Sequence, residues 1–299
     1  MTGPFMDIGD LKIFATVARC GGMKRAATEL NTVQSNVSAR IKALETDIGL
    51  ALFDRHGRGV SLTPAGRRLL PYADQAVRLV SDAKRAARDD GTPRGALAIG
   101  SLETTAALRL TPLLARYAAE NAEVDLTLHT GTTRELIAAV AQQQLDGAFV
   151  CGPATHPALE EQMMFREELV VLAAVNVPSL SAIFKTGIVR TVVLRAGCSY
   201  RQKLETLLAR RGIVVERQLE FGTLEAIFGC VGAGLGITLL PRALIGAVFE
   251  GGRVSVHRLP RTDAVVDTVF IRPRGAFASS ALRAFLACAA GGFASARAA

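Results

Sequence analysis

The sequence has no tryptophan, and aromatic residues make up only 5% of its 299 residues. It also has no apolar run that is both long enough and free enough of charge to span a bilayer. The N-terminal residues show no basic segment leading into an apolar one, which a secretion signal would need. We therefore expect a cytoplasmic protein without a membrane segment.

Cysteine is also scarce, and its five positions are Cys20, Cys151, Cys198, Cys230 and Cys288. Their number is odd, and no two of them have the spacing of metal ligands. This pattern fits reduced thiols in a cytosolic chain better than a disulfide framework.

The residue clusters that enzymes use are missing as well. The histidines are isolated, at His56, His129, His156 and His257. No GxSxG nucleophile motif, phosphate-binding loop or dinucleotide fingerprint occurs. The glycine-rich segment Gly232–Gly236 precedes a predicted strand instead of opening a helix, so we interpret it as a turn. We predict a protein that is not an enzyme and needs neither a cofactor nor a metal.

The chain does have a large apolar content and an excess of positive charge. Hydrophobic residues form 49% of the sequence, which is enough for two or three folded domains. The net charge is +8, which favours a polyanionic partner. Residues 1–94 hold fifteen Lys and Arg against ten Asp and Glu, a net charge of +5. The alternative is that this basic surface only keeps the protein in solution.

Apolar residues recur at helical spacing in three short segments near the N-terminus. These segments are Asp10–Arg19, Lys24–Leu30 and Gln34–Ile48, and a basic hairpin is predicted at Phe53–Thr63. Two short helices joined by a tight turn form a helix-turn-helix, whose second helix enters the major groove of DNA. For that helix alone, an ordinary solvated polar face is the alternative.

The polar residues of this motif divide into two groups by chemistry. Asn and Gln can pair with adenine and Arg with guanine, each adding roughly 1–3 kcal/mol of discrimination. Lys and Arg outside this row are better placed for phosphates, which position the protein without reading sequence. The candidates for reading bases are Thr32, Gln34, Ser35, Asn36, Ser38 and Arg40. The candidates for phosphate contact are Lys24, Arg25, Lys42, Arg55 and Arg58.

A long helix is predicted at Pro64–Arg88, with Thr63 as its N-cap and Pro64 in its first turn. A heptad seam runs along it at Leu69, Ala73, Ala76, Val80, Ala83 and Ala87. Such a seam suits pairing with another helix. The alternative is a helix that lies on its own globular domain. Asp89–Gly95 then ends the helix and is interpreted as a hinge.

From Ala96 onwards, predicted strands alternate with predicted helices, which is typical of a parallel or mixed sheet covered by helices. The strands are Ala96–Ile99, Val124–His129, Gly147–Val150, Leu169–Ala174, Thr191–Leu194, Val214–Phe221, Ile237–Leu240 and Thr268–Ile271. The main helices are Leu108–Ala119, Arg134–Gln144, Tyr200–Arg211 and Leu224–Val231. The length of this region predicts two small α/β lobes.

Several predicted loops leave the carboxyl ends of strands just before a helix, where α/β folds bind ligands. Free N–H groups and hydroxyls at such positions suit a small carboxylate or a similar anion. The candidate effector-binding residues are Ser101, Thr104, Thr132, Cys198, Ser199 and Thr223. Arg195 and Arg201 are candidate charge partners. The alternative is that the hydroxyl residues act only as helix caps.

The segments Ala26–Glu45 and Leu50–Gly66 resemble the LysR-type transcriptional regulators. The resemblance implies three regions: a winged helix-turn-helix at 6–63, a dimerising linker helix at 64–90, and an effector domain of two periplasmic-binding-protein-like α/β lobes at 95–299. It also implies dimers or tetramers that bind double-stranded promoter DNA. The sequence departs from the family where Gly22 and Val33 replace frequent cap residues, which leaves Thr32 as the cap of the third helix.

Cys198 lies at a predicted helix start, where the pKa of a thiol can fall. The peroxide-sensing branch of the family uses a cysteine in this region, together with a second one shortly after it. Here Leu207 and Leu208 stand where that second cysteine would be expected. We therefore interpret Cys198 as a small residue that lines the pocket, with a redox role as the alternative.

Together these features predict a sequence-specific DNA-binding regulator that responds to a small-molecule effector. A solute-binding transport protein would need a secretion signal, and it would leave the basic N-terminal region unexplained. A nucleoid-type protein would leave about two hundred residues of the α/β region without a role.

Overall fold

The computed structural model describes residues 6–56, 59–247 and 252–298. The chain divides into two compact units, residues 1–90 and residues 91–299. Each unit buries its own apolar side chains, so each has its own hydrophobic core.

Helices dominate the N-terminal unit. In chain order, its elements are α1 (Ile8–Cys20), α2 (Met23–Glu29), α3 (Gln34–Ile48), β1 (Phe53–His56), β2 (Gly59–Leu62) and α4 (Pro64–Arg88). The predicted bounds of α3 and α4 are confirmed. Val37, Ile41 and Leu44 of α3 are buried at spacings of four and three, so the opposite side of this helix stays polar and outward.

Only some of the predicted helix caps occur in this unit. Thr63 accepts a hydrogen bond from the Gly66 backbone N–H at 3.0 Å and caps α4, as predicted. Gly22 precedes α2 and provides no side-chain cap. The prediction that Thr32 caps α3 is wrong, because its hydroxyl accepts from the amide of Asn36 at 3.0 Å instead.

The predicted seam of α4 is divided between two environments. Ala73 is buried, and Leu69 and Ala76 pack partly against the core of the same unit. The later seam residues, Val80 and Ala83, are exposed. The helix therefore lies on its own unit over its first half only.

The second unit, residues 91–299, which we call the effector unit after the expectation above, is built from alternating strands and helices. In chain order, its elements are β3 (Gly95–Ser101), α5 (Glu103–Thr105), a π-helical turn (Ala106–Leu110), α6 (Thr111–Glu120), β4 (Val124–Thr130), α7 (Thr133–Ala141), β5 (Gly147–Cys151), β6 (Leu159–Ala174), α8 (Leu180–Lys185), β7 (Ile188–Leu194), α9 (Ser199–Arg210), β8 (Val214–Phe221), α10 (Leu224–Gly232), β9 (Thr238–Pro241), α11 (Leu244–Ala247), β10 (Val254–Arg258), α12 (Arg261–Ala264), β11 (Val265–Pro273) and α13 (Ser280–Ala298).

Seven of these strands form one mixed sheet in the order β10-β6-β11-β5-β3-β4, with β9 pairing alongside β6. The first half of β6 pairs with β11, and its second half pairs with β9 and β10. We call the part built on β3, β4, β5 and β11 the first lobe, and the part built on β7, β8, β9 and β10 the second lobe. The strand β6 runs through both of them.

The fold class predicted from the sequence is confirmed: an N-terminal helix-turn-helix with a hairpin, a long helix, and a two-lobed α/β domain. The prediction missed β10, α13 and the first half of β6. Among the helices of the described residues, none has both the length and the apolar character needed to cross a membrane.

Candidate functional site

The polar side of α3 is a continuous exposed face. Gln34, Ser35 and Asn36 are exposed, and Ser38 is half-buried beside them. The Asn36 side-chain amide donates a hydrogen bond to the Thr32 hydroxyl at 3.0 Å, which limits rotation of the Asn36 side chain. Amide and hydroxyl groups fixed in this way on a rigid helix can pair with base edges in a major groove.

Exposed cations occur on α3 and on the helix before it. Lys24 and Arg25 of α2 and Lys42 of α3 are exposed, as phosphate contact requires. Two further candidates belong to the hairpin: the side chain of Arg55 and the whole of Arg58 lie outside the described residues.

Arg40 is placed differently from the other candidates on α3. Its Nε donates to the carboxylate of Asp10, and its Nη2 lies 2.9 Å from Oδ1 of Asp7. The hydrogen bond from the Asp10 backbone N–H lowers the pKa of Asp7, and the charge of Arg40 acts in the same direction. The guanidinium therefore ties α3 to the start of α1, which the sequence did not indicate.

A small cavity of about 40 Å³ lies where the loops of the two lobes meet. Thr104, Thr132, Cys198 and Arg195 line it. Gly197 is required in this loop, because its φ is +98° and an added Cβ would lie 2.8 Å from Oγ1 of Thr132.

The remaining effector candidates lie elsewhere or have another role. Ser101 is fully buried, and its hydroxyl donates to the Leu102 carbonyl at 2.9 Å. Thr223 is exposed and caps α10. The guanidinium of Arg201 is already paired with Glu205 and Glu220, so the structure does not support it as a charge partner for an effector.

Thr132 combines its place at the small cavity with the role of a helix cap. Its hydroxyl accepts from the Glu135 backbone N–H, and the Glu135 carboxylate accepts from the Thr132 N–H at 2.8 Å. These hydrogen bonds lower the pKa of Glu135. The capping interpretation is therefore confirmed for Thr132 and Thr223, whereas the N-cap of α5 is Leu102 and that of α9 is Cys198.

A chain of buried polar groups links the lobes next to this cavity. The Thr104 hydroxyl donates to the Tyr200 hydroxyl at 3.4 Å, and Tyr200 donates to Oε2 of Glu167 at 3.5 Å. The Nε of Arg109 lies 3.7 Å from Oε1 of Glu167. Burial raises the pKa of Glu167, although Arg109 acts in the opposite direction. The roles of Tyr200 and Glu167 were not predictable from the sequence, since neither residue belongs to a local motif.

A larger cavity of about 460 Å³ lies along α9. Gln202, Lys203 and Thr206 of α9 line it from the second lobe, and Thr133 lines it from the first. Ser199 also lines it, and its hydroxyl donates to Oγ1 of Thr133 at 2.9 Å, joining the lobes. These α9 residues were not predictable from the sequence, because polar side chains along a helix have the same pattern as a solvated face.

Cys198 does not have the lowered pKa that a helix start can produce. Burial raises the pKa of its thiol and outweighs the hydrogen bonds from backbone N–H groups of Arg201 and Tyr200. The side chain is buried and lines the small cavity. All five cysteines are free thiols, and no group of three or more His, Cys, Asp or Glu among the described residues could hold a metal ion.

Comparison with known proteins identifies both units. Residues 8–67 match the bacterial regulatory helix-turn-helix protein model of the lysR family, and residues 90–294 match the LysR substrate binding domain. The transcriptional regulator GltR of Bacillus subtilis is 42% identical over 94% of this chain and 95% of its own.

Solved structures show the same fold. A full-length OxyR variant from Pseudomonas aeruginosa has a TM-score of 0.66 at 18% identity, over 97% of this chain and 95% of its own. Full-length CbnR in complex with its target DNA has a TM-score of 0.51 at 21% identity, over 96% of this chain and all of its own. The curated relatives are transcriptional regulators and not enzymes.

Proposed function

The chain belongs to the LysR family of DNA-binding transcriptional regulators, and we propose that it binds specific promoter sequences and changes its activity when a small anion binds in its effector unit. The main support for DNA binding is that α3 has an exposed polar face opposite its buried apolar residues. Because the core holds the other side of the helix, this face is rigid before DNA arrives. Because the proposed partner is chromosomal promoter DNA, we also propose that the protein is cytoplasmic.

We assign different tasks to the residues of this face. Gln34, Ser35, Asn36 and Ser38 contact base edges, and Thr32 holds the amide of Asn36 in place. Lys24, Arg25 and Lys42, together with Arg55 and Arg58 of the hairpin, contact phosphates. Arg40 sets the position of α3 against α1 through Asp7 and Asp10.

The test is to bind the full chain to the duplex upstream of its own gene and to a scrambled duplex of equal length. Replacing both Gln34 and Asn36 with Ala should reduce the preference for the specific duplex by about ten- to a hundredfold, because paired contacts to bases are lost. Gln75→Ala, an exposed amide on α4, is the matched control. Affinity should also fall steeply with salt, since phosphate contacts release counterions.

Two results would reject the DNA-binding proposal. In the first, the unmutated protein binds both duplexes equally at physiological salt. In the second, the double variant remains folded and keeps its full preference, which would show that α3 does not recognise bases.

We also propose that two copies pair through the second half of α4, as a dimer or as a step towards a tetramer. The support is that Val80, Ala83 and Ala87 are exposed although they continue the apolar seam, and Leu79 beside them is 69% exposed. Val80→Asp should lower the mass measured by sedimentation velocity towards that of the monomer. An unchanged mass would place the self-association surface elsewhere.

The effector proposal rests on the hydroxyls and cations at the meeting of the two lobes. Thr104, Thr132, Cys198 and Arg195 line the small cavity there, and Ser199 lines the larger one. We propose that an anion bound between the lobes changes their arrangement, because the ligand would contact residues from both. Ser101 and Thr223 support this region through buried and capping hydrogen bonds.

A further inference from the structure

We infer that the larger cavity along α9 holds the effector, that the effector is an aliphatic hydroxycarboxylate, and that Lys203 binds its carboxylate group. This inference rests on the proposed function, since it specifies the ligand class of the same effector unit. Size, charge and the chemistry of the cavity walls support it independently.

The two cavities differ about tenfold in volume. The small one, at about 40 Å³, has room for about one water molecule. The larger one, at about 460 Å³, lies within the range of 300–1,000 Å³ that is typical of small-molecule sites. A carboxylate of four to six carbons therefore fits only the larger cavity.

The larger cavity carries a positive charge that no neighbour neutralises. Lys203 forms no ion pair with any residue within 6–56, 59–247 and 252–298. Arg210, which also lines the cavity, lies 3.9 Å from Asp263, and Arg211 lies 3.3 Å from the same carboxylate. Asp263 is thus shared by two arginines, and Lys203 is the cavity-lining cation left to bind an anion.

The thiol on the cavity wall does not compete for this charge. Burial raises the pKa of Cys151 to about 11, although Ser199 and Lys203 act in the opposite direction. Cys151 is therefore a neutral thiol near pH 7. Lys203 and Cys151 line the same cavity, Cys151 from the first lobe and Lys203 from the second.

The remaining walls favour hydroxyl-bearing ligands over aromatic ones. Hydroxyls of Thr133, Ser199, Thr206 and Thr262 line the cavity. Ser199 donates to Thr133 and Thr206 donates to the Gln202 carbonyl, so the oxygens of Ser199 and Thr206 can still accept from a ligand hydroxyl. Among the described residues that line it, none is aromatic. An aromatic acid would gain no ring stacking there and would not use the hydroxyl oxygens that can accept.

The test is isothermal titration of the full chain at constant ionic strength with L-malate, tartrate, citrate, gluconate, benzoate and salicylate. At least one of the four hydroxycarboxylates should bind, and the two aromatic acids should bind at least about tenfold more weakly. Lys203→Gln should weaken the binding by about tenfold or more, and Lys203→Arg should retain most of it, because it keeps the charge. Lys185→Gln, an exposed lysine of the same lobe, is the matched control.

The inference is overturned if none of the four hydroxycarboxylates binds, if the aromatic acids bind as tightly, or if Lys203→Gln and Lys185→Gln bind alike. Duplex binding measured on the same preparations separates this result from the proposed function. If the protein recognises its promoter but binds none of these acids, only the proposed ligand class is rejected. If it binds carboxylates through Lys203 but shows no preference among duplexes, only the proposal of a promoter-specific regulator is rejected.

Discussion

In the N-terminal unit the polar side chains of α3 lie outward from an apolar core, whereas in the effector unit Thr104, Tyr200 and Glu167 are buried where two lobes meet. The outward groups make few internal hydrogen bonds and are free for a partner. The buried groups depend on one another across about a hundred residues of chain. In the first unit the polar residues are therefore exposed to the partner that we propose, whereas in the second they hydrogen-bond across the two lobes.

The largest difference in stability should be between a charge placed on the buried side of α3 and one placed on its exposed side. Val37 is fully buried, so Val37→Asp should cost more than about 3 kcal/mol and unfold the N-terminal unit. Ala39→Asp, on the exposed side, should keep the fold and weaken DNA binding by repulsion from phosphates. Circular dichroism and limited proteolysis of residues 6–88 measure the difference. Equal stability of the two variants would contradict the division of α3 into two faces.

The second effect should appear in the pH dependence of the effector unit. Because burial raises the pKa of Glu167, the folded state holds this proton more tightly than the unfolded state does. Its contribution to the free energy of unfolding is therefore greatest near and below pH 4.5, and it declines as pH rises through the folded pKa. Each unit of pKa displacement corresponds to about 1.4 kcal/mol.

Glu167→Gln should remove this part of the pH dependence, and Glu120→Gln, at an exposed position, should not. Urea unfolding between pH 5 and pH 8 measures both variants against the unchanged chain. If Glu167→Gln and the unchanged chain show the same slope of stability against pH, Glu167 does not titrate with a raised pKa.

The smallest change in stability should come from Thr132, which both lines a cavity and caps a helix. Thr132 lines the small cavity and caps α7, so Thr132→Ala should destabilise the effector unit by about 1 kcal/mol. Thr111→Ala, at an exposed position on α6 whose hydroxyl forms no cap, should change stability much less. Thermal unfolding compares them, and equal melting temperatures would show that the capping box adds nothing to stability.

Elements whose periodicity is strong were predictable with accurate bounds. The helix α3 begins and ends where its apolar spacing indicated, and α4 runs from a threonine cap to the predicted hinge. The first half of β6 was missed because Glu160, Glu161, Arg166 and Glu167 interrupt its apolar residues. The helix α13 was missed because its many alanines and two glycines give a weak apolar pattern.

The candidate sites were predictable to different degrees for the same reason. Residues on the α3 face follow from helix periodicity, so they were predictable one by one. In the effector unit the loops where the lobes meet were predictable, but Lys203, Tyr200 and Glu167 were not. The ion pairs of Arg40 with Asp7 and Asp10 were not predictable either, because they join separate helices.

The sequence by itself determined the helix-turn-helix, the long helix and the alternating α/β region, because each depends on spacing within a few turns of chain. Only the tertiary structure decided which charges are neutralised, which hydroxyls are buried and which cavity has room for a ligand. Those properties depend on groups brought together from distant segments, where desolvation and neighbouring charge set the energy of each side chain.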